Sequence, residues 1–556
     1  MKSRRIVMSL AALFLSAGTL LPCTNLIVTK GASIDGSVMV SYSADSHQLY
    51  GELYFWPAAK WEEGSMLKIY EWDTGRFMGE IPQAKETYSV TGNMNEYQLI
   101  IGETTYGGRR EFRDRNGMMD YGSLIYIALQ RCKTAREAIA LIDNLMQTYG
   151  YASSGESFTI ADPDEAWIME IMAKAPRMVE GINVNKGAVW VAKRIPDGYI
   201  SAHANQARIT TIDFNDPDNC LYSPDVISHA REMGIFSGKD KEFSFSDVYA
   251  PVDFGAARFC DARVWAYFNK FADGMDKYLD YAMGYDLDNR MPLYVKPNTK
   301  LSVKDVADMM RDHYEGTPMD MTCDIGAGGN AVPYRWRPMS YEVDGKTYLN
   351  ERAIATQQTG WWYVGQCRSD MPRDLGGLFW FGVDDAGTSA LIPIYSVSGR
   401  VAECIEKGNG SMLEYSETSL FWIVNRVTQF AYLRYNQVGA EVRSVVDKWE
   451  NEMIDKTRRM DQVALEMYRR DPALAREFLT DFSVNAAQTL FKNWVELDKY
   501  LMVKYIDGNT KRQEADGSFS NNGHDPRIPA SPKNEGYTQK WKEAVVKDNG
   551  SILETK

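Results

Sequence analysis

Histidine is scarce in this chain, five among 556 residues, and none of the five forms an HExxH or other helical ligand pair. A metal centre built on imidazoles has little to work with, and metal chemistry is not expected. Cysteine is also sparse, seven in all, and no CxxC occurs, which excludes zinc-finger and thioredoxin-like motifs. Seven is odd, so Cys23 is the natural one to stand apart, and spacing assigns no partners among the other six. Basic residues do not dominate: 62 Lys+Arg face 75 Asp+Glu, a formal charge of −13. Such a surface discourages binding to nucleic acid or anionic lipid. Past the first residues, no run is long and apolar enough for a membrane helix of roughly 20 residues. Internal repeats and low-complexity linkers are absent too, which excludes solenoids and tethered arrays.

What is present is globular material, 44% hydrophobic and 12% aromatic, enough for a large core. Ahead of it stands a leader over 1–22. Lys2, Arg4 and Arg5 precede an apolar run at 6–15 and the small residues Ser16, Ala17 and Gly18. A basic stretch, a short apolar stretch and a small-residue cleavage point make a secretory signal, so the chain reads as exported, periplasmic or secreted.

After Cys23, TNLIVTK and SVMVSYS flank turn residues at 31–36 and predict a β-hairpin. YQLIIGETTY (97–106) predicts a buried strand, and shorter strands are predicted within SFTIADPDEAWIMEIM and GAVWVAKRI. Apolar residues recur at helical spacing over 121–149, 224–233, 262–283 and 302–314. RAIATQQTGWWYVGQ, LGGLFWFGVDDAG and SALIPIYSVS predict three more strands. From 418 to about 505 the pattern is helical almost throughout, broken near Asp471-Pro472, and a loop-like tail follows over 508–535. Strands and helices intermix up to about residue 410 without a break in composition. Residues 23–410 therefore read as one body, with 411–556 a mainly helical region packed on it.

The stretch LLPCTN leaves several roles open for Cys23. A lipid anchor requires a small residue before the cysteine, and Pro22 stands there instead. A structural or disulfide-bonded cysteine is the plain reading. The remaining role is a nucleophile at a new N-terminus. If the leader is cut after 16–18 and the remnant 19–22 is then removed, Cys23 carries both a thiol and a free α-amine. That amine, with an ordinary pKa of about 7.7–8.0, can accept the thiol proton without any histidine.

CTNLIVTKGASIDGSVMVSYSADS resembles the opening of the dipeptidase A family of cysteine N-terminal nucleophile (Ntn) hydrolases, relatives of bile salt hydrolases and penicillin V acylases. GNMNEYQLIIGETT (92–105), SGESFTIADPDEAWIMEI (154–171), IPDGYISAHANQARI (195–209) and the block at 291–320 follow in the family's order. The resemblance implies an α+β fold, the Ntn-hydrolase αββα sandwich, here with a helical C-terminal portion. It also implies hydrolysis of dipeptides without metal or cofactor. On it, Cys23 is the nucleophile, Asp45 orients the cysteine and its amine, and Asn95 and Asn205 serve the oxyanion or place substrate. Arg263 matches a later active-site arginine on the substrate side. Tyr42 stands where the family usually has arginine, so this substrate-side position brings no fixed positive charge to the thiol. Arg208, Arg258 and Arg263 are the candidate replacements.

A small peptide is the expected partner, and a homo-oligomer stays open. Two alternatives remain: an acylase of the bile-salt or penicillin type, and a non-catalytic exported binding protein that keeps the fold. His203 and His313 read as structural. DFNDPDN (213–219) reads as a solvated acidic loop without calcium spacing, and DIGAGGN (324–330) lacks the preceding strand of a phosphate loop.

Overall fold

The computed structural model describes residues 23–555, so the leader and its cleavage point lie outside the described residues. Cys23 leads directly into strand β1 (Thr24–Val28), and after a turn the chain returns as β2 (Val38–Asp45). The two are antiparallel, with Thr24 opposite Ser43 and Val28 opposite Met39, the hairpin that the alternation and turn residues predict. Both strands are buried along their whole length.

Strands β3 (Ile100–Tyr106) and β4 (Gly155–Ala161) form the middle of an eight-stranded antiparallel sheet, continued by Ala166–Ala173 and Ala188–Arg194. The first hairpin belongs to a separate seven-stranded sheet, where β5 (Thr359–Cys367) lies beside β2. The sheets face each other closely. A Cβ on Gly102 of β3 would sit 2.2 Å from the Asn25 amide of β1, so the approach demands glycine. In the same gap, Thr159 of β4 donates to Asn25 Oδ1 across 2.7 Å.

Helices α1 (Tyr121–Arg131) and α2 (Ala135–Tyr149) cover the outer face of the eight-stranded sheet and enclose an apolar core with it. The helical spacing over 121–149 thus resolves into two helices. Thr134 breaks it by accepting the Glu137 N–H and starting α2, a capping signal that competes with the apolar periodicity. Helices α3 (Ala262–Phe271) and α4 (Val303–Met309) pack on the outer face of the seven-stranded sheet, each shorter than its predicted stretch.

The C-terminal helices are α5 (Leu420–Leu433), α6 (Ala440–Tyr468) and α7 (Pro472–Tyr505). The break at 471–472 is where expected: Asp471 accepts the N–H groups of Ala473 and Leu474, and Pro472 fills the first turn. A further interruption at 434–439 passes through a π-helical turn. Helix α7 packs against the edge strand Ile392–Tyr395, which ties this region to the seven-stranded sheet. All seven cysteines are free thiols. Among the described residues, no helix is long and apolar enough to cross a membrane.

Candidate active site

The β1–β2 register carries Cys23, one residue before Thr24, to the end of β2, where Ala44 and Asp45 lie. Its thiol is 3.5 Å from the Tyr42 hydroxyl and 3.6 Å from Glu103 Oε1, and the Tyr42 hydroxyl donates to that same oxygen across 2.5 Å. All three residues are buried. The Tyr42 ring is wedged against Trp361 and Tyr363 of β5, with centroids 5.3 and 5.7 Å away, which fixes where its hydroxyl points. Burial lifts the thiol pKa well above 9.0, and the Glu103 and Asp45 charges push the same way. Hydrogen bonds from Tyr42 and from the Asp45 backbone oppose them without prevailing.

Asp45 closes β2 at a bulge, where the register with β5 shifts and the side chain is re-aimed. Its buried carboxylate accepts from Arg352, from Thr359 Oγ1 at 2.7 Å and from Ser43 Oγ at 3.0 Å. Burial raises its pKa, with the Arg352 charge the main opposing influence. Nothing in the sequence around Arg352 marks it; the fold alone brings it to Asp45 from a position 307 residues away.

Arg263 enters from the start of α3, directly after a wide π-helical turn at Ala256–Asp261. Its guanidinium donates to the Cys23 carbonyl at 2.6 Å, Thr24 Oγ1 at 2.8 Å, the Ala204 carbonyl at 3.0 Å and Asn205 Oδ1 at 2.9 Å. Burial pulls its pKa down to about 10, so it stays charged at neutral pH. Asn205 adopts φ 64°, a left-handed conformation that asparagine tolerates, and its Nδ2 donates to the Thr105 carbonyl at 2.7 Å. One guanidinium therefore holds both Cys23 and Asn205.

Asn95 does not join this group. Its Nδ2 donates to the carbonyls of Leu129 and Cys132, both at 2.8 Å, and its Oδ1 accepts the N–H groups of Tyr97 and Leu99, both at 3.0 Å. The amide is committed to backbone at the end of α1. Arg208 and Arg258 are committed elsewhere as well, Arg208 to the Ala202 carbonyl at 2.8 Å and Arg258 to Glu351. His203 sits between the sheets, 2.7 Å from Thr104 Oγ1 and 2.9 Å from Thr159 Oγ1, and burial drops its pKa to about 3, so it is neutral. His313 is bonded to Glu315 and Tyr334, also a structural setting.

Glu103 is the residue that sequence reasoning passed over. A glutamate inside a strand predicted to be buried is the available signal, since a buried carboxylate needs a reason to be there. One carboxylate cluster outside the site, Asp308, Asp447 and Glu450, is balanced by Lys304, Arg311 and Arg443.

The chain belongs to peptidase family C69, whose profile matches residues 54–448. The matched span begins past β2; it includes Glu103, Asn205, Arg263 and Arg352 but stops short of Cys23, Tyr42 and Asp45. A probable dipeptidase of Latilactobacillus sakei is 24% identical over 456 residues, covering 78% of this chain and 87% of its own. Probable dipeptidase B of Streptococcus pyogenes serotype M1 is 22% identical over 517 residues, 89% of this chain and 96% of its own. Dipeptidase A of Lactobacillus helveticus is 21% identical over 501 residues, 85% and 95% of the two chains.

Proposed function

We propose that this peptidase is an exported cysteine dipeptidase of the Ntn-hydrolase class, acting from Cys23 once the preceding residues are removed. The observation that carries the reading is the setting of Cys23. It opens the central hairpin, its thiol lies against Tyr42 and Glu103, and its carbonyl is held by a buried arginine. Two sheets stacked face to face, with helices on both outer faces, fit the αββα sandwich. The names of the relatives support dipeptides as substrate. The basic and apolar leader supports export.

In the mechanism, the freed α-amine takes the thiol proton and Sγ attacks the scissile carbonyl carbon. The tetrahedral adduct collapses as the ammonium returns that proton to the departing amine, leaving a thioester on Cys23. Water, deprotonated by the same amine, cleaves the thioester and restores the thiol. Asp45 and Arg352 fix the end of β2 beside the nucleophile, and Arg263 with Asn205 fixes the main chain from which it projects. While residue 22 remains attached there is no amine, and a thiol with so raised a pKa stays protonated and inert. Cleavage thus both creates the base and switches on the nucleophile.

Intact mass and N-terminal sequencing of the mature protein, beside Cys23→Ala assayed on a dipeptide panel and on acyl amides, test the reading. A mature chain that starts at Cys23 and loses activity in the variant is expected. A mature chain that retains residue 22, or a fully active variant, would overturn it.

A further inference from the structure

The thiol has a carboxylate for a neighbour, where a cation would make the better activator, and this carboxylate is one of a pair. Glu103 and Glu156 are both buried, and burial, with the Glu103 charge next, pushes the Glu156 carboxyl well above its ordinary pKa. Glu103 Oε2 and Glu156 Oε1 are both buried without a hydrogen-bond partner. Glu156, whose Oε2 accepts from Thr105 Oγ1 at 2.9 Å, is the one pushed further toward the acid form. Glu103 Oε1 accepts from the Tyr42 hydroxyl and from the Cys23 thiol, so Glu103 is the carboxylate of the two that faces the thiol. Among the described residues, no lysine, arginine or histidine forms an ion pair with either glutamate. An uncompensated buried charge is costly unless a ligand supplies its counter-ion.

Distances say which ligand. A scissile carbonyl carbon poised for attack lies about 3–3.5 Å from Sγ. In a dipeptide the α-nitrogen of the first residue is only about 2.5 Å from that carbon, from the fixed N–Cα and Cα–C lengths and the angle between them. Glu103 Oε1 is 3.6 Å from Sγ, so a substrate that turns its α-nitrogen toward Glu103 can bring it within hydrogen-bond reach. Resting on Cys23 as nucleophile, we propose that Glu103 receives the free α-ammonium of the substrate. The Glu103–Glu156 pair then restricts this site to peptides with an unblocked N-terminus. Tyr42, in the place of a cation, keeps Glu103 Oε1 aimed at the reacting centre without neutralising it. An N-acylated peptide or bile-acid amide brings no cation and leaves the Glu103 charge buried, so the site rejects it.

Steady-state kinetics of the processed enzyme on its best dipeptide and on the N-acetyl derivative of that dipeptide test the inference. Wild type is expected to show kcat/KM at least a hundredfold lower on the acetylated peptide. Glu103→Gln is expected to lose at least tenfold on the free dipeptide, mainly through KM, and to bring the free-to-acetyl ratio below ten. Glu156→Gln is expected to retain the wild-type preference. Equal cleavage of both peptides by wild type overturns the inference without any variant having to fold. So does a Glu103→Gln enzyme that slows on both peptides in proportion, since that is what a purely structural residue does. Activity surviving in Cys23→Ala instead removes the nucleophile reading, and the inference falls with it.

Discussion

The Arg263 guanidinium donates to the main-chain carbonyl of Cys23 across 2.6 Å, and through its second terminal nitrogen to Asn205 Oδ1 across 2.9 Å. Cys23 is therefore positioned through its backbone, from a helix that packs behind the sheet. Charged hydrogen bonds of this kind contribute about 1.5–3 kcal/mol each when buried. Arg263→Lys keeps the charge but cannot span both acceptors. It is expected to lower kcat by roughly tenfold to a hundredfold, by the same conversion, with KM for dipeptides changed less. An unchanged kcat in a folded Arg263→Lys enzyme would show that the clamp is irrelevant to turnover.

Thiol chemistry gives the second prediction. The Cys23 pKa is held well above 9.0, burial being the first cause and the Glu103 and Asp45 charges the next. A chain that retains residues 19–22 should therefore resist alkylation of Cys23 at pH 7.5, whereas a chain beginning at Cys23 should react roughly tenfold faster or more. Cys323, exposed and far along the sequence, reacts in both and serves as the internal standard. Peptide mapping after timed iodoacetamide treatment reads the two rates, and equal Cys23 rates would defeat the activation argument.

Much of this site is legible in sequence because it is local. The hairpin from Cys23 to Asp45 follows from alternation around a glycine turn, and Tyr42 stands out as a departure from the resemblance. What is not legible is long-range. Glu103 reaches Tyr42 from the other sheet, and Arg352 reaches Asp45 only because β5 returns beside β2. Asn95 also depends on contacts that sequence does not display. A buried asparagine that caps a helix and one that polarises a carbonyl look alike until their partners are seen, and here the partners are backbone. The same holds for the helices: periodicity runs through 121–149, and the cap at Thr134 decides that two form.

The Asp45–Arg352 pair, buried on both sides, supplies the third prediction. Asp45→Ala removes the carboxylate that balances a buried guanidinium, and is expected to cost about 3–5 kcal/mol of stability. Replacing both residues, as in Asp45→Asn with Arg352→Gln, removes the charge on each side and should cost less than the two single changes summed. A coupling of about 1–3 kcal/mol from urea unfolding is the expected result. Simple additivity would mean the pair acts as two independent residues.

Asp384 gives a pH dependence whose sign can be worked through. Burial, with the neighbouring Asp385 charge adding to it, raises its pKa from 3.8 to about 7. Between those values the folded chain holds a proton that the unfolded chain has released. Stability from this group is therefore complete below pH 3.8 and is lost as pH rises through about 7. The steepest loss is about 1.4 kcal/mol per pH unit. Asp384→Asn keeps an oxygen to accept from Asn425 Nδ2, now 3.2 Å away, and suits the left-handed φ of 63° at this position. The variant has no carboxyl to ionise, so its stability relative to wild type should rise between pH 5 and 8, by at least about 1 kcal/mol. Urea unfolding at several pH values across that window measures the difference. A gap that stays constant would mean that Asp384 ionises alike in the folded and unfolded chain, and a gap that closes would reverse the sign argued here.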